Sequence, residues 1–437
     1  MNIILLSGGS GRRLWPLSND IRSKQFIKIF KNENGEYESM LQRMYRKIKQ
    51  IDSDAKVTIA TSKAQISSIH NQIGSDVDIS VEPGRRDTFP AIALATAYLH
   101  DVKMVAEDEA IVVCPVDPYV DDSYFEALIG LSKCAEEGKA NLSLMGIEPT
   151  YPSEKYGYII PKTSDEVSFV DSFKEKPDVK TAENYIAKGA LWNGGVFAFK
   201  ASYVLNKAKT LLNYTNYQDL YDRYNQLDKI SFDYAVVEQE PSIQVMRFHG
   251  EWKDLGTWNT LTESMDEDLI GKGIIGQENS NIHIINELNI PILAMGLHDV
   301  VISASPEGIL VSDKGKSSYI KPYVDSIKQE VMFAEKSWGS YKVVDVDNGS
   351  MTIKVTLLPG HSMNYHSHLN RDEVWVIVSG NGETVVDGMR QKVSVGDVIT
   401  MKAGCRHTVI AETELKLVEV QLGKSISAED KQKFYLE

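Results

Sequence analysis

Cysteine is scarce, with only Cys114, Cys134 and Cys405 in 437 residues. An odd number at unrelated spacings, with no CxxC pair, points neither to a disulfide framework nor to a thiolate zinc site, and buried free thiols are expected. Basic residues are in deficit: 47 Lys and Arg stand against 61 Asp and Glu, a formal net charge of −14. A duplex-binding surface needs clustered cations against phosphate, so nucleic acid is not an expected partner. Long apolar runs are lacking too. The run Ile3 to Leu6 falls far short of the roughly 18 residues that cross a bilayer, and no Lys or Arg precedes it as in a signal peptide. The chain is therefore expected in the cytoplasm, without a membrane partner. Low-complexity tracts and fixed-period repeats are also missing.

What is present is ordinary for a folded protein: 42% hydrophobic and 25% charged residues, enough for a core throughout. At roughly 150 residues per domain the length suggests two or three domains. Strand patterns at 2–7, 56–61, 110–115 and 142–147 alternate with helical patterns such as 90–100 and 124–137, which argues for a parallel α/β sheet. From Gly271 to about Pro322 only short β-like segments follow, a small β module. A helical linker is predicted to contain Asp325 to Lys336. Beyond it, hairpin-like segments at 350–357, 374–379, 383–387, 398–401 and 415–421 read as a β-sandwich or jelly-roll barrel. The expected division is 1–270, 271–330 and 331–437.

Ser7-Gly8-Gly9-Ser10-Gly11-Arg12-Arg13 follows the first strand directly, where a parallel sheet offers its carboxyl edge to ligands. Glycines let backbone N–H groups approach a polyphosphate, and Arg13 and Lys24 offer cations for it. A tight turn without a ligand accounts for the glycines alone just as well, and the string is not a GxxxxGK[ST] P-loop. Asp117 follows the strand 110–115, which puts its carboxylate near this loop; with a second acid it suits Mg²⁺, which takes few carboxylates plus phosphate oxygens and water.

The longer string Gly8 to Ser18, GGSGRRLWPLS, followed by Lys24-Gln25-Phe26, resembles the signature of sugar-phosphate nucleotidyltransferases, most closely the mannose-1-phosphate guanylyltransferases. Arg12 stands where that family usually has Thr, and Ser23 where it has Pro. The likeness continues in order through Glu82-Pro-Gly-Arg-Arg86-Asp87, Tyr156-Gly157-Tyr158, Phe173-Lys-Glu175-Lys176-Pro177, Trp192-Asn193-Gly-Gly-Val-Phe197, Asp233-Tyr234-Ala-Val and Trp252-Lys-Asp254. The resemblance implies a mixed, mainly parallel nucleotidyltransferase sheet. It implies nucleotide binding by Gly8, Gly9, Ser10, Gly11, Glu82 and Arg86, and catalysis by Arg13, Lys24 and Asp117. It also implies Mg²⁺ on Asp117 and Asp254, Lys176 on the sugar phosphate, and Glu175, Asn193 and Gly157 on the hexose. Asp87, where the family usually has Asn, bears on base selectivity.

Farther on, Gly360, His366, His368, Glu373 and Gly380 fit the first cupin motif, and Gly396, Asp397, Gly404 and His407 the second, with Lys402 where Pro is usual. His366, His368, Glu373 and His407 make a site for Zn²⁺ or another divalent transition metal. Related two-domain chains carry a type II phosphomannose isomerase barrel here, but Lys336-Ser337-Trp338-Gly339 and the spacing before Glu373 depart from the isomerase pattern. The expected partners are GTP and a sugar 1-phosphate, and a homodimer is expected. The leading reaction joins GTP and α-D-mannose 1-phosphate to give GDP-mannose and pyrophosphate, for polysaccharide or glycan precursors. Alternatives are another sugar 1-phosphate, an added isomerase activity, or a non-catalytic sugar-nucleotide sensor.

Overall fold

The computed structural model describes residues 1–9, 12–424 and 426–436. They fall into two compact units, the first comprising 1–9, 25–66 and 76–256, the second 10–24, 67–75 and 257–437. The second thus takes in three segments, 10–24, 67–75 and 257–270, that the sequence-based division assigns to 1–270.

In the first unit the apolar runs become a nine-stranded sheet ordered Asp78–Glu82, Lys56–Ser62, Asn2–Ser7, Ala110–Pro115, Leu191–Lys200, Leu142–Ile147, Ile243–Phe248, Val167–Lys174 and Tyr158–Pro161. Leu191–Lys200 and Val167–Lys174 run against the other seven, so the sheet is mixed and mainly of one direction. Ile3, Ile4, Leu5, Ile111, Val112 and Val113 are fully buried, as expected of strands covered on both faces. The helix Thr88–Asp101 buries Phe89 to Ala97 against this sheet and is capped by Asp87, whose side chain accepts from Thr88 N–H at 2.7 Å. Asn2–Ser7 pairs in parallel with Ala110–Pro115, with Leu6 opposite Pro115. That register brings Gly8 and Gly9 out beside Val116 and Asp117 at one sheet edge, and Val116 N–H donates to Leu6 O at 3.2 Å. Gly9 has φ +109°, a backbone that side-chain-bearing residues rarely adopt.

In the second unit, Leu269–Gly271, His283–Asn286 and Val300–Ser305 pair in parallel, and Gly308–Asp313 closes antiparallel. Ile282, Ile284, Ala294 and Ile302 fill the space between them. The barrel is a six-stranded sheet running from Phe333–Lys336 to Val398–Met401, facing a five-stranded sheet that includes Gly382–Val386, His407–Ala411 and His366–Ser367. Its core holds Val355, Leu357, Trp375, Ile377, Val409 and Leu417.

The predicted helical linker across 325–336 does not form. The helix nearby, Lys321–Val324, ends before it, and Phe333–Lys336 is a strand paired with 339–342. Met332 and Phe333 N–H groups donate to Glu307 Oε1, both at 2.9 Å, and Ala334 and Glu335 are buried. Tertiary pairing therefore overrides the local pattern. The cysteines are free thiols, Cys114 buried but Cys134 and Cys405 only half-buried. Among the described residues no helix is long and apolar enough to cross a membrane.

Two barrel glycines separate steric from conformational demands. Gly380 (φ +78°) has no room for a Cβ beside the Glu414 carbonyl, whereas Gly388 (φ +82°), in the turn after Val386, faces open space. Gly380→Ala should destabilise the protein by about 3 kcal/mol or more, and Gly388→Ala by only about 1 kcal/mol. Urea unfolding midpoints of the full chain measure both, and equal losses would refute the steric account.

Candidate active site and metal centre

A cavity of about 360 Å³ opens at the sheet edge of the first unit, lined by Leu6, Gly8, Gly9, Ser62, Gln65, Glu82, Gly84, Arg85, Asp87, Thr88, Pro115 and Asp117 among others. The glycine loop is braced from beneath. Gln25 Nε2 donates to Ser7 Oγ at 3.1 Å, Thr61 Oγ1 lies 2.7 Å from Gln65 Oε1, and Gln65 Nε2 reaches Gly9 O at 3.4 Å. Glu82 accepts from Tyr224 Oη at 2.9 Å. Burial pushes the Glu82 carboxyl above its usual range, against that hydrogen bond and the charge of Arg85.

Four of the residues expected to bind nucleotide or metal, Gly8, Gly9, Glu82 and Asp117, line this one cavity. Arg86 does not: its guanidinium donates to the carbonyls of Tyr224 and Asn225, and Arg85 lines the cavity instead. Composition could not choose between adjacent arginines, because the choice depends on carbonyls some 140 residues away. Ser10 and Gly11 lie outside the described residues. Arg13 and Lys24 belong to the second unit, Arg13 exposed on the turn Arg12–Leu14 and Lys24 half-buried at the start of Lys24–Phe26. Arg12 is held by Asp20 at 2.7 Å and Asp325 at 2.8 Å.

Asp254 ends the strand Trp252–Asp254, which pairs antiparallel with Pro118–Val120 so that Asp254 sits opposite Pro118. The register therefore brings Asp254 next to the residue that follows Asp117 in the chain.

The residues expected at the sugar also converge. Asn193 N–H donates to Gly157 O at 2.8 Å, and a Cβ on Gly157 would stand 2.5 Å from Glu175 Oε2. Glu175 Oε1 pairs with Lys176 Nζ at 2.7 Å. Tyr156 packs against Trp192 and Trp252, with ring centroids 4.9 and 5.5 Å apart. Glu175 Oε2 and both indole N–H groups are buried without a hydrogen-bond partner, and such groups call for an explanation such as a ligand. Asp233 was noted in sequence only as part of a motif. The structure places its Oδ1 2.6 Å from Asn193 Nδ2.

In the barrel, the ligand atoms of His366, His368, Glu373 and His407 all lie within 4.8 Å of one another, and all four residues are buried. Each imidazole Nδ1 faces a backbone carbonyl: Asn364 at 2.6 Å, Asp430 at 2.9 Å and Cys405 at 3.0 Å. Those contacts place the proton on Nδ1 and leave the Nε2 lone pairs for a metal. Glu373 lies 3.1 Å from Nε2 of both His368 and His407. Burial, aided by the charge of Lys431, pushes His366 down to about 2, and burial with Arg371 pushes His368 down to about 4. The two imidazoles are neutral at pH 7, and the set fits a divalent transition metal.

Burial and repulsion from Glu175 push the Asp233 carboxyl up to about 6, against the Asn193 hydrogen bond and Lys176. A carboxyl raised in the fold binds its proton more tightly there than in the unfolded chain. Its contribution to stability is therefore full below about pH 4 and lost as pH rises through about 6. Asp233→Asn should stabilise the protein at pH 8 by about 1 kcal/mol or more, the gain vanishing below pH 4. Thermal melts across that range test this, and a pH-independent difference would contradict it.

The comparisons with known proteins agree with this geometry. Residues 2–270 match the nucleotidyl transferase family and residues 353–421 the cupin domain family. Xanthan biosynthesis protein XanB of Xanthomonas campestris pv. campestris strain B100 is 29% identical over 464 residues, covering 98% of this chain and 96% of that one. Mannose-1-phosphate guanylyltransferase of Escherichia coli strain K12 is 26% identical over 476 residues, covering 99% and 97%. The crystal structure of a mannose-1-phosphate geranyltransferase from Thermus thermophilus is similar with a TM-score of 0.60 at 27% identity, covering 74% of this chain and 98% of that one. With more than half its length matched, and with the glycine loop, Glu82 and Asp117 around one cavity, the chain belongs to the nucleotidyl transferase family and carries a cupin domain behind the transferase region.

Proposed function

We propose that the chain joins GTP and α-D-mannose 1-phosphate to give GDP-mannose and pyrophosphate. A phosphate oxygen of mannose 1-phosphate forms a bond to the α-phosphorus of GTP, the bond from that phosphorus to the bridging oxygen breaks, and pyrophosphate leaves with the electron pair. The observation that carries this reading is the register that sets Gly8, Gly9 and Asp117 on one sheet edge with Asp254 opposite Pro118. The names of relatives matched over almost their whole length support the substrate pair.

Asp117 and Asp254 would hold Mg²⁺, which neutralises charge on the triphosphate. Gly8 and Gly9 offer loop amides to the triphosphate and the leaving pyrophosphate, and the family resemblance gives Ser10, Gly11, Arg13 and Lys24 to the same phosphates. Glu82 accepts from guanine N1–H and its amine. Lys176 aligns the sugar phosphate, while Glu175, Asn193 and Gly157 hold the hexose. Transfer then depends on alignment and charge rather than on a covalent intermediate. We assign this chemistry to 1–270, the small β module to 271–330 and the barrel to 331–437, in a cytoplasmic homodimer. A screen of nucleoside triphosphates against sugar 1-phosphates tests the substrates, and preference for another pair would replace them.

A second reading concerns the barrel alone. A cavity of about 410 Å³ is lined by His366, His368, Arg371, Glu419 and Lys431. Burial and Glu373 push Glu419 up to about 7, and burial pushes Lys431 down to about 8. These are groups able to exchange protons near neutrality, which aldose–ketose isomerisation requires. Conversion of fructose 6-phosphate to mannose 6-phosphate is its direct assay.

Asp117→Asn and Asp254→Asn should each lower kcat by about a hundredfold or more, because an amide weakens Mg²⁺ binding where charge neutralisation drives transfer. Normal pyrophosphate release at saturating Mg²⁺ would remove the assignment. Replacing His366 and His368 together with Ala should strip barrel-bound metal, read by elemental analysis, yet leave transferase turnover within about twofold at equal folded concentration. Loss of turnover in that folded variant would couple the barrel to the chemistry.

A further inference from the structure

Asp233 neither lines the glycine-loop cavity nor stands among the aspartates assigned to Mg²⁺. It sits on the short helix Phe232–Ala235, capped by Ser231, and its carboxylate fixes one side chain. Asn193 Nδ2 donates to Asp233 Oδ1 at 2.6 Å, while Asn193 Oδ1 accepts from Gly195 N–H at 3.1 Å. An asparagine amide can ordinarily turn end for end, since its two ends have nearly the same shape. Here it cannot, because a carboxylate accepts only from the nitrogen end and a backbone N–H donates only to the oxygen end. Asn193 is tied at its own N–H to Gly157 O at 2.8 Å, and Gly157 lies against Glu175 Oε2. That oxygen is buried without a donor, although its twin pairs with Lys176 at 2.7 Å. Lys176 also acts on the Asp233 carboxylate, Tyr234 lies near Lys176, and Glu238 Oε1 accepts from Glu175 N–H at 3.4 Å.

We propose that Asp233 is a positioning residue for the sugar, locking the Asn193 amide so that Asn193 and Glu175 Oε2 together read neighbouring hydroxyls of a hexose 1-phosphate. This rests on the assignment of Gly157, Glu175 and Asn193 to the hexose. The chemistry gives selectivity by subtraction: a sugar lacking the hydroxyl that donates to Glu175 Oε2 leaves a buried carboxylate oxygen unpaired, which sites built for hydroxyls reject strongly. A carboxyl that opposes folding at neutral pH, beside another carboxylate, is also what a site kept for binding rather than stability contains.

The test uses the full chain, steady-state kinetics with GTP, and mannose 1-phosphate alongside its 2-, 3-, 4- and 6-deoxy analogues. Asp233→Ala should raise KM for mannose 1-phosphate by about tenfold to a hundredfold, leaving KM for GTP within about twofold. The penalty that the wild type imposes on the most strongly rejected deoxy sugar should shrink in the same variant. Asp233→Asn should restore most of the affinity, because its amide oxygen still accepts from Asn193. Should the Ala variant not fold, Asp233→Ser, too short to reach Asn193, repeats the measurement. Unchanged KM for the sugar phosphate, equal rises for both substrates, or an unchanged deoxy penalty would each overturn the role of Asp233. A wild type that turns over no sugar 1-phosphate would instead overturn the transferase reading, and this inference with it.

Discussion

The pairing of Asn2–Ser7 with Ala110–Pro115 is the constraint from which the transferase site follows. Because the two strands are parallel and Leu6 stands opposite Pro115, their chains leave the sheet together. The glycines after one and the aspartate after the other must then share an edge. A slip of one residue would turn every side chain of the strand to the other buried face, where Ile3, Ile4 and Leu5 would meet packing shaped for their neighbours. The burial of Ile3, Ile4, Leu5, Ile111, Val112 and Val113 thus holds the register, and the register holds the site. The antiparallel strand Leu191–Lys200, next to Ala110–Pro115, carries Asn193 opposite Gly146 on its other side.

The site keeps its carboxylates at a cost to folding. Glu82 and Asp233 are both raised by burial, and each retains one strong donor, Tyr224 Oη at 2.9 Å and Asn193 Nδ2 at 2.6 Å. A single donor does not fully offset the loss of water around a carboxylate. Such groups are stabilised further when a ligand brings its own donors. The indole N–H groups of Trp192 and Trp252, buried without acceptors, fit the same pattern from the donor side.

Much of this was legible in the chain because it is local. The strands 110–115, 142–147, 350–357 and 398–401 have the observed bounds, since their apolar runs and alternation encode burial directly. The cupin residues His366, His368, Glu373 and His407 meet in space as their spacing implied. What was not legible depends on distant partners. Arg86 turns to the carbonyls of Tyr224 and Asn225. The stretch after Asp325 gives up its helical pattern because Glu307 captures the N–H groups of Met332 and Phe333. Asp233 acquires meaning only when Asn193 is folded against it.

The barrel shows how backbone can prepare chemistry that side chains advertise. Three histidines in a motif do not say which ring nitrogen faces inward. That is settled by the carbonyls of Asn364, Asp430 and Cys405, each within 3.0 Å of an Nδ1. Arg371 competes for the same acceptors, its guanidinium lying 3.0 Å from His368 Nε2 and 3.1 Å from Glu373 Oε1. One planar cation thus meets a buried carboxylate and a neutral imidazole together, which offsets part of the loss of water around both.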